Sequence, residues 1–264
     1  MQIARRGAHD RLPGLSPAGG FTLHPFDKAH GVRTSGLIPG RHLKSGHRHD
    51  RHATAYFGVA PSVFRSVLGL WRKSKPSAPL QQFTFVDVGS GMGRAVLLAS
   101  EYEFRAVTGV ELNPTLARIA RRNVGTWKKQ GRARTAISIS CCDATQYRLP
   151  PGPCLVFLFN PFGATVMKRL LHRIQARSGE RCGPLDLIYV NDEQAAVLRV
   201  HPNMERLFRG RVRRSRVDAI ADCAVMANQP EIEYAADDYE DCSIWRWITR
   251  DPKHLRRPSA ESAV

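Results

Sequence analysis

The residues with most chemical potential lie in one run, Val86-Asp87-Val88-Gly89-Ser90-Gly91-Met92-Gly93-Arg94, between an apolar stretch and one rich in Ala, Val and Leu. Glycines at alternate positions let a backbone turn sharply and approach a ligand with no Cβ in the way. A dinucleotide fingerprint needs Gly-x-Gly-x-x-Gly, and the place of its third glycine is held by Arg94. The Lys-Ser/Thr ending of a phosphate-binding P-loop is missing too. Asp87 suits a ligand with a free amino-acid end better than a pyrophosphate. A tight turn without a ligand is the alternative reading.

Three later segments carry further polar groups at apolar-to-polar boundaries. Glu111 follows Ala106–Val110, and a carboxylate there can accept hydrogen bonds from two adjacent ribose hydroxyls; otherwise it is a charged strand end. Asp143 suits an adenine amino group, or is a loop acid. Phe159-Asn160-Pro161-Phe162-Gly163 closes an apolar run. Asn160 and the Pro161 carbonyl suit the orientation of a target amine, with Phe162 packing on a flat acceptor or on the ligand. A proline-terminated strand is the plainer reading of the same five residues.

These positions need a scaffold, and the hydrophobic pattern supplies one. Strands are expected at Phe83–Val88, Ala106–Glu111, Ala136–Ser140, Cys154–Phe159 and Leu185–Asn191. Helices are expected at Gly93–Glu101, Pro114–Thr126 and Ala164–Ala176. Asn113-Pro114 reads as a helix cap followed by a first-turn proline. A helix opening at Pro61 places Val63, Phe64, Val67, Leu68 and Trp71 on one face. Alternating strands and helices imply an α/β fold, a Rossmann-like, doubly wound and mostly parallel sheet. Asp222–Ala227 and Cys242–Trp247 read as two more strands, with antiparallel pairing at the sheet edge.

The chain of 264 residues carries a formal charge of +17. Such a field attracts phosphates and acidic partners. Residues 1–54 are rich in Gly, Pro, His and Arg without apolar periodicity, and read as a flexible basic arm. His42, His47, His49 and His52 belong to that arm rather than to a metal site, and no metal ligands are assigned. Tyr56-Phe57-Gly58 reads as a lid or as an aromatic helix anchor. Residues 55–249 form the main domain, and 250–264 a polar tail. The arginines between Arg206 and Arg216 either contact an anionic partner or are neutralised by the acids Glu231 to Asp241. No apolar run reaches the roughly 18 residues of a membrane span, no secretory h-region follows Met1, and no Cys-x-x-Cys pair occurs. A cytoplasmic protein with reduced thiols is expected.

Taken together, the glycine loop, Glu111, Asp143 and Asn160-Pro161-Phe162 resemble the class I S-adenosylmethionine-dependent methyltransferases. With Gly109-Val110-Glu111, the loop is also similar to the non-SET histone-lysine methyltransferase branch. The resemblance spans roughly Phe83 to Asn191. It implies that Asp87, Gly89, Ser90, Gly91 and Gly93 hold the methionine end of S-adenosyl-L-methionine, Glu111 the ribose and Asp143 the adenine. It implies that Asn160, Pro161 and Phe162 line the reacting centre, Asn160 also touching the donor. The acceptor is not specified, with an amine of a protein or nucleic acid favoured. The other classes are a nicotinamide-dependent oxidoreductase, which Arg94 opposes, and a non-catalytic nucleic-acid-binding protein that keeps the fold.

Overall fold

In the computed structural model the described residues are 22–178, 183–227 and 237–248. Seven strands form one sheet: β3 (Thr84–Val88), β4 (Ala106–Glu111), β5 (Ile137–Cys141), β6 (Cys154–Phe159), β7 (Leu185–Val190), β8 (Met204–Arg213) and β9 (Tyr239–Trp247). Their spatial order is β5-β4-β3-β6-β7-β9-β8. The first five of that order run parallel, and β9 lies antiparallel to both β7 and β8. β3, in the middle of the five parallel strands, and β7 are buried along their whole length, as expected for strands covered on both faces.

Side-chain alternation along the strands sorts the core into two layers. One face packs on α2 (Pro61–Lys73), α3 (Arg94–Ala99) and α4 (Pro114–Lys129) through Phe64, Phe85, Phe157 and Trp127. The other packs Val86, Val88, Val156 and Tyr189 on α5 (Ala164–Ala176) and α6 (Ala195–Arg199). α2 buries the stripe Val63, Phe64, Val67, Leu68 and Trp71 that its period marks out. Trp71 donates its indole N–H to Asp186, whose carboxylate also takes two bonds from Arg246, so this fully buried acid is satisfied.

Two expectations fail. Asp222–Ala227 is not a strand but the end of helix α7 (Arg216–Ala227). Short apolar runs do not separate helix from strand by period, and the alanines in this one favour helix. Residues 22–54 are not a free arm. They form α1 (Pro25–His30) and β1 (Leu37–Ile38), which pairs with β2 (Tyr56–Phe57). The physical reason is a polar core: the Asp27 carboxylate, 1% exposed, accepts from the backbone N–H and hydroxyl of both Thr34 and Ser35. Residues 1–21 of the expected arm, the tail 250–264, and Glu231 and Glu233 lie outside the described residues.

Two of the four arginines of β8, and Arg214 just after it, meet acids, in part as the second of the two readings has it. Arg211 pairs with Asp237, Arg209 lies 3.4 Å from Asp192, and Arg214 pairs with Glu240 and lies 3.3 Å from Asp222. Among the described residues no helix is long and apolar enough to cross a membrane.

Candidate functional site

The turn after β3 needs glycine for two separate reasons. Gly89, Gly91 and Gly93 all have positive φ (77°, 53° and 89°), the region that penalises a Cβ. The first two also sit under close neighbours. A Cβ on Gly89 would lie 2.3 Å from Pro161, and one on Gly91 2.2 Å from the Tyr56 ring. The Gly89 and Ser90 N–H groups donate to the Val110 carbonyl, which ties this turn to the end of β4.

Glu111 ends that strand. One of its oxygens accepts the Gly91 N–H and the other the Asn113 N–H, each at 2.7 Å. Burial raises the affinity of the Glu111 carboxyl for its proton, and the N–H groups of Asn113, Gly91 and Leu112 oppose it. Each carboxylate oxygen keeps lone-pair capacity for a further donor. Asn113 caps α4 through bonds from Thr115 and Leu116, with Pro114 at the first helical position, as its sequence context indicates. Asp87 lies below, 3% exposed; its carboxyl is pushed well up by burial and by the nearby Glu111 charge.

Asp143 accepts the Thr145 N–H and hydroxyl at 2.9 and 2.8 Å. Burial pulls its carboxyl up, but these bonds and His49 outweigh that and hold it below the ordinary carboxylate range. His49 Nδ1 and His47 Nε2 lie 3.2 and 3.9 Å from Asp143 Oδ2. The three side chains have the spacing of a metal cluster, yet their protons point the other way. His47 Nδ1 accepts the His49 N–H, so its proton is on Nε2. The Arg169 guanidinium, a donor only, lies 2.6 Å from His49 Nε2, so that proton is on Nδ1. Both rings therefore turn an N–H toward Asp143.

The turn after β6 is strapped by the N-terminal segment. Ala53 forms a β-bridge with Phe162. The Thr54 hydroxyl donates to the Asn160 carbonyl, and its N–H to the Pro161 carbonyl at 3.4 Å. Asn160 has φ 38°, and its amide oxygen accepts the Tyr189 hydroxyl at 3.2 Å. The two acceptors assigned to a target amine thus already hold one internal donor each. Tyr56, which the sequence offered as a lid, lies with its ring on Gly91 and donates its hydroxyl to the Thr34 carbonyl at 2.7 Å.

Gly89, Glu111, Asp143, Pro161 and Phe162 line one cleft of about 710 Å³. Asp87, Ser90, Gly91 and Gly93 shape the loop beneath it rather than lining it. The Ser90 hydroxyl is buried without a hydrogen-bond partner among the described residues and lies over Gly109; Gly93 packs toward Ala120 of α4. Asn160 lines a second cavity of about 880 Å³, which shares Thr54 and Ala55 with the first. The sequence did not single out Thr54 or Tyr189, and it placed His49 in the basic arm, because hydrogen bonds to a strand-end turn leave no periodic signal.

No family model matches the chain, and neither does any curated protein. Solved structures do. A magnesium protoporphyrin IX methyltransferase from Synechocystis with bound SAM is 12% identical over 71% of this chain and 79% of its own, with a TM-score of 0.46. A SAM-dependent methyltransferase from Thiobacillus denitrificans in complex with S-adenosyl-L-homocysteine is 12% identical over 72% and 93%, with a TM-score of 0.41. The fold is a Rossmann-like α/β sheet, mostly parallel, in which β3 leads into the glycine turn and β9 is inserted antiparallel between β7 and β8. In such a sheet the cleft lies where ligands bind, outside the carboxyl ends of the strands.

The residues present are compatible with a nucleoside-containing ligand: Glu111 and Asp143 stand at neighbouring strand ends, and the Gly89 turn carries no side chain into the cleft.

Proposed function

We propose that the chain is an S-adenosyl-L-methionine-dependent methyltransferase acting on an amine. The observation that carries the proposal is the convergence of Gly89, Glu111, Asp143 and Pro161-Phe162, from four separate segments, on one cleft. Glu111 would take the ribose hydroxyls, Asp143 the adenine amino group, and the buried Asp87 the amino-acid end through the loop. The donor supplies a methyl group already activated on a sulfonium. What the protein must add is alignment and exclusion of water.

The acceptor side of this reading is the second cavity. It meets the donor cleft at Thr54 and Ala55, with Asn160 on one side of the turn and Pro161 on the other. Glu240 lines it; burial raises the affinity of this carboxyl for a proton, and its partner Arg214 opposes that. Such a group suits an amine, which attacks as the neutral base and must shed a proton. The second lone pairs of the Asn160 and Pro161 oxygens remain for orienting its N–H groups.

Calorimetric titration with S-adenosyl-L-methionine, with NAD as control, tests the donor. Saturable binding of the first alone, weakened at least tenfold by Glu111→Gln, is expected. A folded protein that binds neither would leave the fold without the activity and bring forward the non-catalytic reading.

A further inference from the structure

On β8, Arg209 and Arg211 face acids. A second basic surface lies along α5. α5 contains no Asp or Glu, and its solvent side presents Lys168, Arg169, His172 and Arg173. Beside it, between α5 and the loop from Asp143 to Pro151, runs a groove of about 1170 Å³. Its floor is apolar, with Leu149, Pro150 and Ile174, and Arg148, Arg173 and Arg177 also line it. Among the described residues that line it there is no carboxylate. Arg177 Nη1 is buried there without a hydrogen-bond partner among the described residues.

The groove is continuous with the proposed donor cleft. Ala144 lines both, next to Asp143. Arg169, one turn along α5 from Arg173, contacts His49, which covers Asp143. From there the exposed Arg48 and Arg51 continue the positive surface on the N-terminal strap.

We propose that this groove binds single-stranded nucleic acid and leads it to the mouth of the cleft. Guanidinium groups pair with phosphates in a planar, two-pronged geometry. A floor that includes Tyr147 accepts the faces of unstacked bases, so the groove offers both of the surfaces that such strands use. An acidic peptide would satisfy the arginines but bring no flat rings for the floor. The inference concerns binding, and it stands whether or not the cleft transfers methyl groups.

The test is fluorescence anisotropy of a fluorescein-labelled 20-nucleotide oligouridine with the full chain at 50 and 200 mM salt. Arg148→Gln, Arg173→Gln and Arg177→Gln combined should weaken binding at least tenfold. It should also reduce the salt slope by about 2, three lost contacts at about 0.7 each. Arg72→Gln, Lys73→Gln and Arg121→Gln, on helices packed against the opposite face of the sheet, remove the same charge and should change binding less than twofold. Circular dichroism reports folding of both variants, and Arg173→Gln alone, on an exposed helix face, provides the weaker form of the same test. Equal losses in the two triple variants would mean a non-specific field and overturn the proposal. So would displacement of the oligonucleotide by poly-L-glutamate as readily as by unlabelled oligouridine.

Discussion

The Arg94 guanidinium lies 3.8 Å from the Asp27 carboxylate, and both side chains are almost fully buried. Arg94 follows the last glycine of the glycine loop. It also donates to the Thr34 hydroxyl at 2.7 Å, the Ser35 hydroxyl at 3.2 Å and the Gly58 carbonyl at 3.1 Å. The residue that breaks the dinucleotide fingerprint is thus the anchor that ties residues 22–58 to the loop.

Removing one member of a buried pair leaves the other charge uncompensated, at a cost of about 3–5 kcal/mol. Arg94→Met should therefore lower the urea midpoint sharply and expose residues 22–54 to limited proteolysis. An unchanged midpoint would show that the pair does not hold the segment.

Glu111→Ala and Glu111→Gln should differ. Alanine strands the Gly91 and Asn113 N–H groups, at about 1–3 kcal/mol each, so it should destabilise the fold as well as weaken the donor. Glutamine keeps one acceptor oxygen and should lose donor affinity with a smaller fall in melting temperature. Equal melting temperatures for the two variants would refute the bonding role of the carboxylate.

Asp87→Asn should separate stability from binding. The folded carboxyl is held well above its ordinary range by burial and by Glu111. A raised carboxyl contributes stability that is complete below the unfolded value and is lost as pH rises through the folded one. At neutral pH without donor, the asparagine variant should melt at or above the wild type, with the gap closing toward pH 4, while donor affinity falls at least tenfold. A variant that melts lower at every pH would show that the charge supports the fold.

Gly91→Ala should collide with the Tyr56 ring in a backbone conformation that disfavours any side chain. Donor binding should be lost and the melting temperature should drop. Adding Tyr56→Ala should recover part of the stability by opening the space, and no recovery would mean that backbone strain alone accounts for the loss.

What the sequence made legible follows from where its signals live. The five parallel strands, Asn113 as a cap and the cleft positions Gly89, Glu111 and Asp143 lie at changes of period, where an apolar run stops at a polar residue. The N-terminal segment was illegible because its interior is polar: Asp27, Thr34 and Ser35 are buried by satisfying one another and Arg94. β8 was hidden for a related reason. It is an arginine-rich strand near the sheet edge, with only Met204 and Val212 buried, so it read as a charge run. Asn160 was found by its motif, but its place in the second cavity depends on Thr54, which is 106 residues away.

That separation also bears on how the chain emerges from the ribosome. Thr54 cannot meet Asn160 until the later residue has left the exit tunnel, roughly 5–20 s after the earlier one at ordinary synthesis rates. Through that interval Leu37, Ile38 and Tyr56, which the finished protein buries, have no completed sheet to close against. The pocket is sealed by contacts of long sequence range, the kind that form slowly. Nascent chains of this protein therefore pass through a stage in which β3 and its glycine turn have been synthesised but their N-terminal cover is waiting for a partner.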